Sequence, residues 1–450
     1  MIALAAALRA VVMLGYPPIL FYSDSYNYIA DAVAKAPDVV RPDGYPLFLY
    51  ILLPFHSLAL IAVLQALMGL ATGAAIYAVL RRRGLPWWGA TLPALPVLFD
   101  VYEMQIEHMV LSDVLFIFVL TVALAALCWF DRPPLLLCAV AGLMIGYAGV
   151  VRAVGEPLLA VLAVGLLLRR VDGKRVALLL VAGVLPIAGY MAWYHGFYGQ
   201  YALGNSSGSF LYSRVSTFAE CSKMTLPVNL KVLCDPTPPA QRPNSQEYLW
   251  SISTPLYKVS HGNQFSPAAD VMAGTFARAA IESQPLAYAT AVLKDAAHTF
   301  TWDRSYSDIT GSGPSFQFEP VVAPVTASKT LWWVLYYPKD KSALLRYGGP
   351  SLGQPTVTKP FSSFIQAYQK IFYLRGTMLG VILLAGAAGV IVRWRRWGGL
   401  ALLPWALAAV LVILPPMTAG FSYRYVLAAV PMACLAAGLA ASREPRTSRQ

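Results

Sequence analysis

The chain alternates between long apolar runs and short polar or basic connections. A run of about 20 apolar residues is long enough to cross the hydrocarbon core of a bilayer as a helix. We therefore expect an all-α polytopic membrane helix bundle with about ten transmembrane helices. The predicted segments lie near residues 3–20, 49–80, 85–99, 109–130, 134–151, 154–168, 176–195, 376–392, 398–415 and 425–441.

The first apolar run carries one charge, Arg9, and ends at Tyr16-Pro17-Pro18. A cleaved signal peptide needs a basic start and a cleavage site made of small residues, which this stretch lacks. We therefore expect residues 3–20 to be an uncleaved membrane helix. Arg9 then either reaches the membrane surface or faces protein.

The composition supports a membrane protein and excludes a cytosolic enzyme. Of the 450 residues, 58% are hydrophobic and 12% are charged. An ordinary soluble domain has about 25% charged residues, so this chain has too few charges to cover the surface of a soluble fold of its size.

The basic residues indicate the orientation of the helices. The net charge is +12, and much of it lies in clusters between apolar runs, at 81–83, 169–175, 393–396 and in the C-terminal tail. Basic loops prefer the cytoplasmic side, so both termini are expected there. This pattern disfavours nucleic acid as a partner. The expected location is the plasma membrane of a bacterium.

With this orientation, three polar segments lie outside: residues 21–48, 100–108 and 196–375. The chain then divides into a membrane module at 1–195, an extracytoplasmic segment at 196–375, and C-terminal membrane helices with a tail at 376–450. Helical periodicity at 268–299 places Val271, Phe276, Ala280 and Ile281 on one expected buried face. Cys221 and Cys234 lie together outside, either as a disulfide or as two free thiols.

Standard nucleotide and zinc motifs are absent: the sequence has no G-x-x-x-x-G-K-[ST], no H-E-x-x-H and no C-x-x-C. Residues 204–208 match G-x-S-x-G, but no strand and helix flank them as an α/β-hydrolase requires. We therefore treat that match as coincidence.

Asp24 directly follows the first apolar run and lies among aromatic residues. A carboxylate at the membrane edge is partly desolvated, which should raise its pKa towards the range of a useful general base. The alternative is that Asp24 caps the helix that follows it.

A second group of candidates is Glu107, His108 and Asp113. Asp113 lies one turn inside an apolar run, where a charge is costly, and Glu107 and His108 are expected to face the same outer cavity. The structural alternative for Asp113 is an arginine partner on a neighbouring helix.

Arg152 and Arg424 are isolated cations at predicted outer boundaries. An arginine suits a lipid phosphate because its planar fork donates two parallel hydrogen bonds. The alternative is a carboxylate partner such as Asp24, Glu107 or Asp113.

These features resemble the GT-C superfamily of polytopic glycosyltransferases, including its protein mannosyltransferase, aminoarabinose transferase and actinobacterial arabinofuranosyl- and mannosyltransferase branches. The resemblance is best over the first 170 residues or so. The strings that carry it are Asp24-x-Tyr26-x-Tyr28-x-Ala30, Asp43-Gly44-Tyr45-Pro46-Leu47, Glu107-His108-x-x-Leu111-Ser112-Asp113, Gly146-x-x-x-x-x-Arg152 and Tyr423-Arg424-Tyr425.

The resemblance implies amphipathic helices in the first outer loop and a polyprenyl-phosphate-linked sugar as donor. It implies that Asp24 is the general base of a single inverting displacement, on the outer face, onto a hydroxyl of a glycan, lipid or protein acceptor. The other residues are assigned by the same resemblance: Arg152 and Arg424 to the donor phosphate, and Glu107, His108, Asp113, Tyr26 and Tyr423 to acceptor or supporting contacts.

Ser25 follows Asp24, where some branches of the superfamily have a second acidic residue, so we expect no metal and no other cofactor. Two alternatives stay open. A transporter or flippase of a lipid-linked substrate would bind the same ligand without cleaving it. A membrane acyltransferase would need a histidine-based site, for which His108 is the best-placed residue.

Overall fold

The computed structural model describes residues 1–303, 316–322, 342–349, 354–394 and 399–442. Its described part is all-helical and contains no strand, only an isolated parallel bridge between Leu20 and Met109. Two groups of helices pack around separate cores: the membrane helices form the larger core, and helices of residues 196–303 form a smaller one.

The N-terminal helices are α1 (Ile2–Gly15), α2 (Ser23–Ala34), α3 (Gly44–Leu52), α4 (Leu58–Arg82), α5 (Trp87–Phe99), α6 (Val101–Glu107), α7 (Ser112–Trp129), α8 (Leu135–Val151), α9 (Glu156–Leu168) and α10 (Gly173–Tyr198). The middle of the chain forms α11 (Ser207–Ser216), α12 (Val228–Lys231), α13 (Ser245–Trp250), α14 (Pro255–Val259), α15 (Pro267–Ser283), α16 (Pro285–His298) and α17 (residues 342–348). The last helices are α18 (Phe361–Tyr368), α19 (Gly376–Val392), α20 (Leu402–Thr418), α21 (Tyr423–Leu427) and α22 (Ala429–Ala441).

Each predicted membrane segment coincides with at least one of these helices. Five stretches are long and apolar enough to cross a membrane: Leu58–Arg82, Ser112–Trp129, Gly173–Tyr198, Gly399–Thr418 and Tyr423–Ala441. Six shorter apolar helices accompany them: Ile2–Gly15, Gly44–Phe55, Trp87–Phe99, Leu135–Val151, Ala153–Leu168 and Gly376–Val392. The protein is therefore a multi-pass membrane protein with an all-helical fold.

The prediction of one continuous helix at 49–80 is wrong, because these residues form two helices separated by a turn. α3 ends at Leu52, residues 53–55 form a 3-10 turn, and His56 takes a left-handed conformation with φ of 45°. Ser57 then begins α4, where its hydroxyl accepts a hydrogen bond from the backbone N–H of Leu60 at 3.2 Å. Pro54 lacks a backbone N–H and favours this break.

Glycine allows the backbones of α8 and α10 to approach closely. A Cβ atom at Gly146 would lie 1.9 Å from the carbonyl oxygen of Gly183, and one at Gly142 would lie 2.2 Å from that of Leu179. Small residues at helix contacts permit this spacing in membrane bundles. The contact holds α10, which leads into the 196–375 segment, against the helix that ends at Arg152.

Three predicted basic loops meet at one end of the bundle, which we call the basic end. Arg83 pairs with Asp131 at 2.6 Å, and Arg175 Nε donates to the carbonyl oxygen of Pro133 at 2.8 Å. The loops 81–84, 131–133 and 169–175 therefore share one side, as the topology predicted. Residues 395–397 of the fourth basic loop and the basic tail at 443–450 lie outside the described residues.

At the opposite end, called the cavity end, the first polar segment is bound to the turn before α7. The backbone N–H of Leu20 donates to the carbonyl oxygen of His108 at 2.8 Å, and the Ser25 hydroxyl donates to that of Val110 at 2.9 Å. The hydroxyls of Tyr28 and Ser112 lie 3.1 Å apart. These bonds place the start of α2 beside the start of α7.

The 196–303 region builds its core from α11, α15 and their neighbours, and Cys221 and Cys234 form a disulfide there. The helical periodicity at 268–299 appears as α15 and α16, separated at Gln284. Phe276 and Ala280 are buried, but Val271 is 69% exposed, so its assignment to the buried face is wrong. Val271 is nine residues before Ala280, which places it on the opposite side of a helix with 3.6 residues per turn.

Candidate active site

A cavity of about 1080 Å³ lies at the cavity end. Its wall combines the start of α2, residues 38–42, the start of α7, residues 151–157 and the start of α21 with parts of α10, α11, α13 and α20. Polar groups from the first polar segment therefore share one space with apolar side chains of the membrane helices.

Five charged residues form a continuous cluster on this wall, which we call the charge cluster: Arg41, Asp24, Arg424, Asp113 and Arg152. Arg41 Nη2 lies 2.9 Å from Asp24 Oδ1, and Arg424 Nη1 lies 2.6 Å from Asp24 Oδ2. Arg424 also donates through Nε to Asp113 Oδ2 at 2.7 Å, and the other oxygen of Asp113 pairs with Arg152. Two carboxylates are thus held by three guanidinium groups.

The helix ends explain why these residues meet. Asp24 and Asp113 lie in the first turns of α2 and α7, where the positive end of the helix dipole favours a carboxylate. Arg152 directly follows α8, and Arg424 lies in α21. All four positions are at the cavity end, where helix termini converge around the bridge between Leu20 and Met109.

The charge cluster carries one excess positive charge, because three arginines face two aspartates. Asp24, Asp113 and Arg424 are each less than a tenth exposed, at 7%, 3% and 7%. Electrostatic attraction to an anion is stronger in such a site than in water. Asp38 lines the same cavity close enough to Arg41 to interact with its charge, and Glu156 also lines the cavity.

Arg41 is the member of the cluster that the sequence analysis missed. It lies in the turn at 38–43, where Asp43 Oδ2 accepts hydrogen bonds from the backbone N–H of Asp38 at 2.6 Å and from the Tyr190 hydroxyl at 3.0 Å. The available signal was an isolated cation within a predicted outer segment, whereas Arg152 and Arg424 lie at predicted boundaries.

The expected rise in the pKa of Asp24 is wrong. Burial alone would raise this pKa, but the positive charges of Arg41 and Arg424 outweigh burial and hold the pKa at about 2. The sequence analysis considered desolvation without the arginines that only the fold brings near. Asp24 is also not the helix cap, because Tyr22 is the N-cap residue of α2.

Glu107 and His108 do not line the cavity, so their expected position was wrong. Glu107 accepts two hydrogen bonds from Arg9, each 2.6 Å long, which also shows that Arg9 faces protein. His108 is 2% exposed and its Nε2 lies 2.7 Å from the carbonyl oxygen of Tyr16. Both side chains instead tie α6 and the turn after it to the first helix and its end.

The two predicted tyrosines have different positions. Tyr26 lines the cavity, whereas the Tyr423 hydroxyl donates to the carbonyl oxygen of Asp303 at 3.1 Å and is not part of the wall. Tyr425 lines the cavity in its place, with the guanidinium of Arg152 5.3 Å from its ring centre.

The structural alternatives considered for Asp113 and for the two arginines, namely ion pairs with neighbouring residues, are both present in the structure. Asp113 pairs with two arginines, and Arg152 and Arg424 have carboxylate partners. Among the residues that the structure describes, no three His, Cys, Asp or Glu side chains gather as metal ligands.

Much of the rest of the wall is apolar, and part of it comes from membrane helices. It includes Phe116 of α7, Ile187 and Met191 of α10, and Leu411 and Leu414 of α20. The cavity therefore offers an apolar surface next to a cationic one, which suits an amphipathic anion such as a lipid phosphate.

Comparison with known proteins shows little similarity in sequence or structure. No protein-family model matches the chain, and no curated protein matches it. Among solved structures, it is similar to the protein O-mannosyltransferase complex of S. cerevisiae bound to the sugar donor, with 17% identity and a TM-score of 0.33. The match covers 48% of this chain and 36% of that chain.

Proposed function

We propose that this protein is a membrane glycosyltransferase that moves a sugar from a polyprenyl-phosphate donor to an acceptor hydroxyl, with Asp24 as the general base. The observation that carries this proposal is the charge cluster, in which a buried carboxylate touches two arginines within a cavity that membrane helices also line.

The donor would bind through both of its parts. Its phosphodiester carries one negative charge, and arginine forks suit phosphate oxygens. Its polyprenyl chain would lie against the apolar side chains of α7, α10 and α20.

The reaction is a single displacement. The acceptor oxygen forms a bond to the anomeric carbon on the face opposite the phosphate, while its proton moves to an oxygen of Asp24. The bond between the anomeric carbon and the phosphate oxygen breaks, and its electron pair leaves with polyprenyl phosphate. Arg152 and Arg424 stabilise the additional charge on that phosphate, and the sugar is transferred with inversion.

A low pKa makes Asp24 a weak base, and donor binding is expected to raise this pKa. While Asp24 is bound to Arg41 and Arg424, it is a weak base. A phosphate that engages Arg424 competes with the carboxylate of Asp24 for this guanidinium group and raises the pKa of Asp24, because the attraction that favours the charged form weakens. The donor therefore binds before the acceptor is deprotonated.

The acyltransferase alternative is disfavoured because His108 is buried outside the cavity and bound to a backbone carbonyl oxygen. A transporter would use the same charge cluster to hold a lipid-linked sugar but would leave the glycosidic bond intact. Chemistry at that bond therefore distinguishes the two remaining functions.

The test is release of polyprenyl phosphate by the full chain in lipid nanodiscs, supplied with polyprenyl-phosphate mannose, arabinofuranose or aminoarabinose and envelope glycans. We expect Asp24→Asn to lower turnover by about 10²- to 10⁴-fold, the usual contribution of a general base. The control is Asp131→Asn, which makes the same change in the ion pair with Arg83 at the basic end and should keep turnover. Wild-type turnover in a folded Asp24→Asn protein would refute the proposal.

A further inference from the structure

The 196–303 region contributes a wall of aromatic rings to the cavity. Phe210 of α11, Trp250 at the end of α13, and Phe265 all line it. The ring centres of Phe210 and Trp250 are 6.1 Å apart with an interplanar angle of 89°, and those of Trp250 and Phe265 are 5.5 Å apart at 57°. Mutual packing holds these rings in fixed orientations, since such edge-on contacts are favourable.

This wall is close to the proposed base. The guanidinium carbon of Arg41 lies 5.7 Å from the ring centre of Trp250, and the same guanidinium lies 2.9 Å from Asp24 Oδ1. One arginine side chain therefore spans the gap between the indole and the carboxylate. The aromatic wall therefore lies beside the charge cluster that contains Asp24.

Amide side chains accompany the rings. Asn27, Gln246 and Asn263 line the same cavity. Gln246 Oε1 accepts a hydrogen bond from Trp250 Nε1 at 3.0 Å, which orients the amide, and Gln246 Nε2 has no hydrogen-bond partner among the described residues. An amide both donates and accepts hydrogen bonds, as a sugar hydroxyl does.

We propose that Trp250, Phe265 and Gln246 form an acceptor subsite for carbohydrate, so that the acceptor is a glycan. This inference rests on the proposed glycosyltransferase function and specifies its acceptor. The C–H face of a sugar ring carries partial positive charge and packs on the negative face of an aromatic ring, while the neighbouring amides hydrogen-bond its hydroxyls.

The test is saturation-transfer NMR on the full chain in nanodiscs, without donor. The probes are methyl glycosides of mannose, galactose and arabinofuranose, and a serine- and threonine-containing hexapeptide. We expect at least one glycoside to receive saturation, and Trp250→Leu to reduce that signal at least about fivefold, whereas Trp250→Phe retains much of it because a ring remains.

The matched control is Trp302→Leu. Trp302 is 58% exposed, has the guanidinium carbon of Arg375 5.1 Å from its ring centre, and does not line the cavity. Its loss should leave the glycoside signal unchanged. The subsite is refuted if no glycoside binds, if only the hexapeptide binds, or if the two Trp→Leu variants behave alike while both remain folded.

This readout is independent of catalysis. If Trp250 proves necessary for glycoside binding but Asp24→Asn keeps full transfer, the subsite stands and the assigned base fails. If Asp24→Asn abolishes transfer but Trp250→Leu binds glycosides normally, the enzyme stands and the subsite fails.

Discussion

Arg424 Nη1 donates a 2.6 Å hydrogen bond to Asp24 Oδ2, although the two residues are 400 positions apart in the chain. The contact joins the first polar segment to α21, near the C-terminal end. Through Nε, the same guanidinium reaches Asp113 at the start of α7. The charge cluster therefore forms only when the N-terminal and C-terminal membrane helices are packed together.

Arg424→Lys should impair the site while keeping its charge. A lysine ammonium is compact and cannot replace the planar fork that bonds Asp24 and Asp113 through two different nitrogens. Loss of one charged hydrogen bond of about 1.5–3 kcal/mol predicts a decrease in turnover of roughly 10- to 100-fold. Turnover is measured as the release of polyprenyl phosphate by the protein in nanodiscs.

Arg175→Lys is the control for that substitution. Arg175 bonds the carbonyl oxygen of Pro133 at the basic end and has no contact with the charge cluster. Equal losses in the two lysine variants would contradict a specific role for the Arg424 fork.

His108 should make the stability of the protein depend on pH. Burial lowers the pKa of His108 from 6.5 to about 4, so the folded protein keeps a neutral imidazole that the unfolded chain can protonate. Its stabilising contribution is complete above pH 6.5 and is lost as the pH falls towards 4, by about 3 kcal/mol at most.

Thermal unfolding can be followed over this pH range by tryptophan fluorescence, because the chain contains 11 tryptophans. His108→Gln should flatten the decrease in Tm between pH 6.5 and 4, since an amide can donate to the Tyr16 carbonyl oxygen without titrating. Exposed His56→Gln should behave like the wild type. An unchanged pH profile in His108→Gln would assign the effect to other groups.

The buried ion pair between Arg9 and Glu107 predicts that substitutions at these two residues have strongly non-additive effects on stability. Both side chains are 3–4% exposed, so Glu107→Met leaves Arg9 with no compensating charge, at a cost of about 3–5 kcal/mol. The double variant Arg9→Met, Glu107→Met should recover most of the Tm that the single variant loses. A double-mutant cycle in which the two effects simply add would exclude this pairing as the cause.

Gly146→Ala should separate α8 from α10. The added methyl group meets the carbonyl oxygen of Gly183, and overpacking of this kind costs about 1–3 kcal/mol. Gly189→Ala on α10 is the control, because its Cβ would meet nothing within 4 Å. The expected result is a lower Tm for Gly146→Ala only, and equal Tm values would show that the helices can move apart freely.

Much of the candidate site could be predicted because a charge next to a membrane boundary is costly and therefore conspicuous. Asp24, Asp113, Arg152 and Arg424 were identified in this way, and all four are in the charge cluster. Arg41 lacks this signal: it is an isolated cation between Val40 and Pro42, within the predicted outer segment 21–48 and not at one of its boundaries. Glu107 was misplaced because the direction of its side chain depends on Arg9, 98 residues away.

The sequence by itself determined that the chain forms membrane helices, roughly where they lie along the chain, and that the loops at 81–84, 131–133 and 169–175 share one end of the bundle, because apolar length and charge distribution act locally along the chain. Only the tertiary structure decided which acid meets which arginine and that the pKa of Asp24 falls. Those outcomes depend on distances of a few ångströms between helix ends that are hundreds of residues apart, and electrostatic energy varies steeply over such distances.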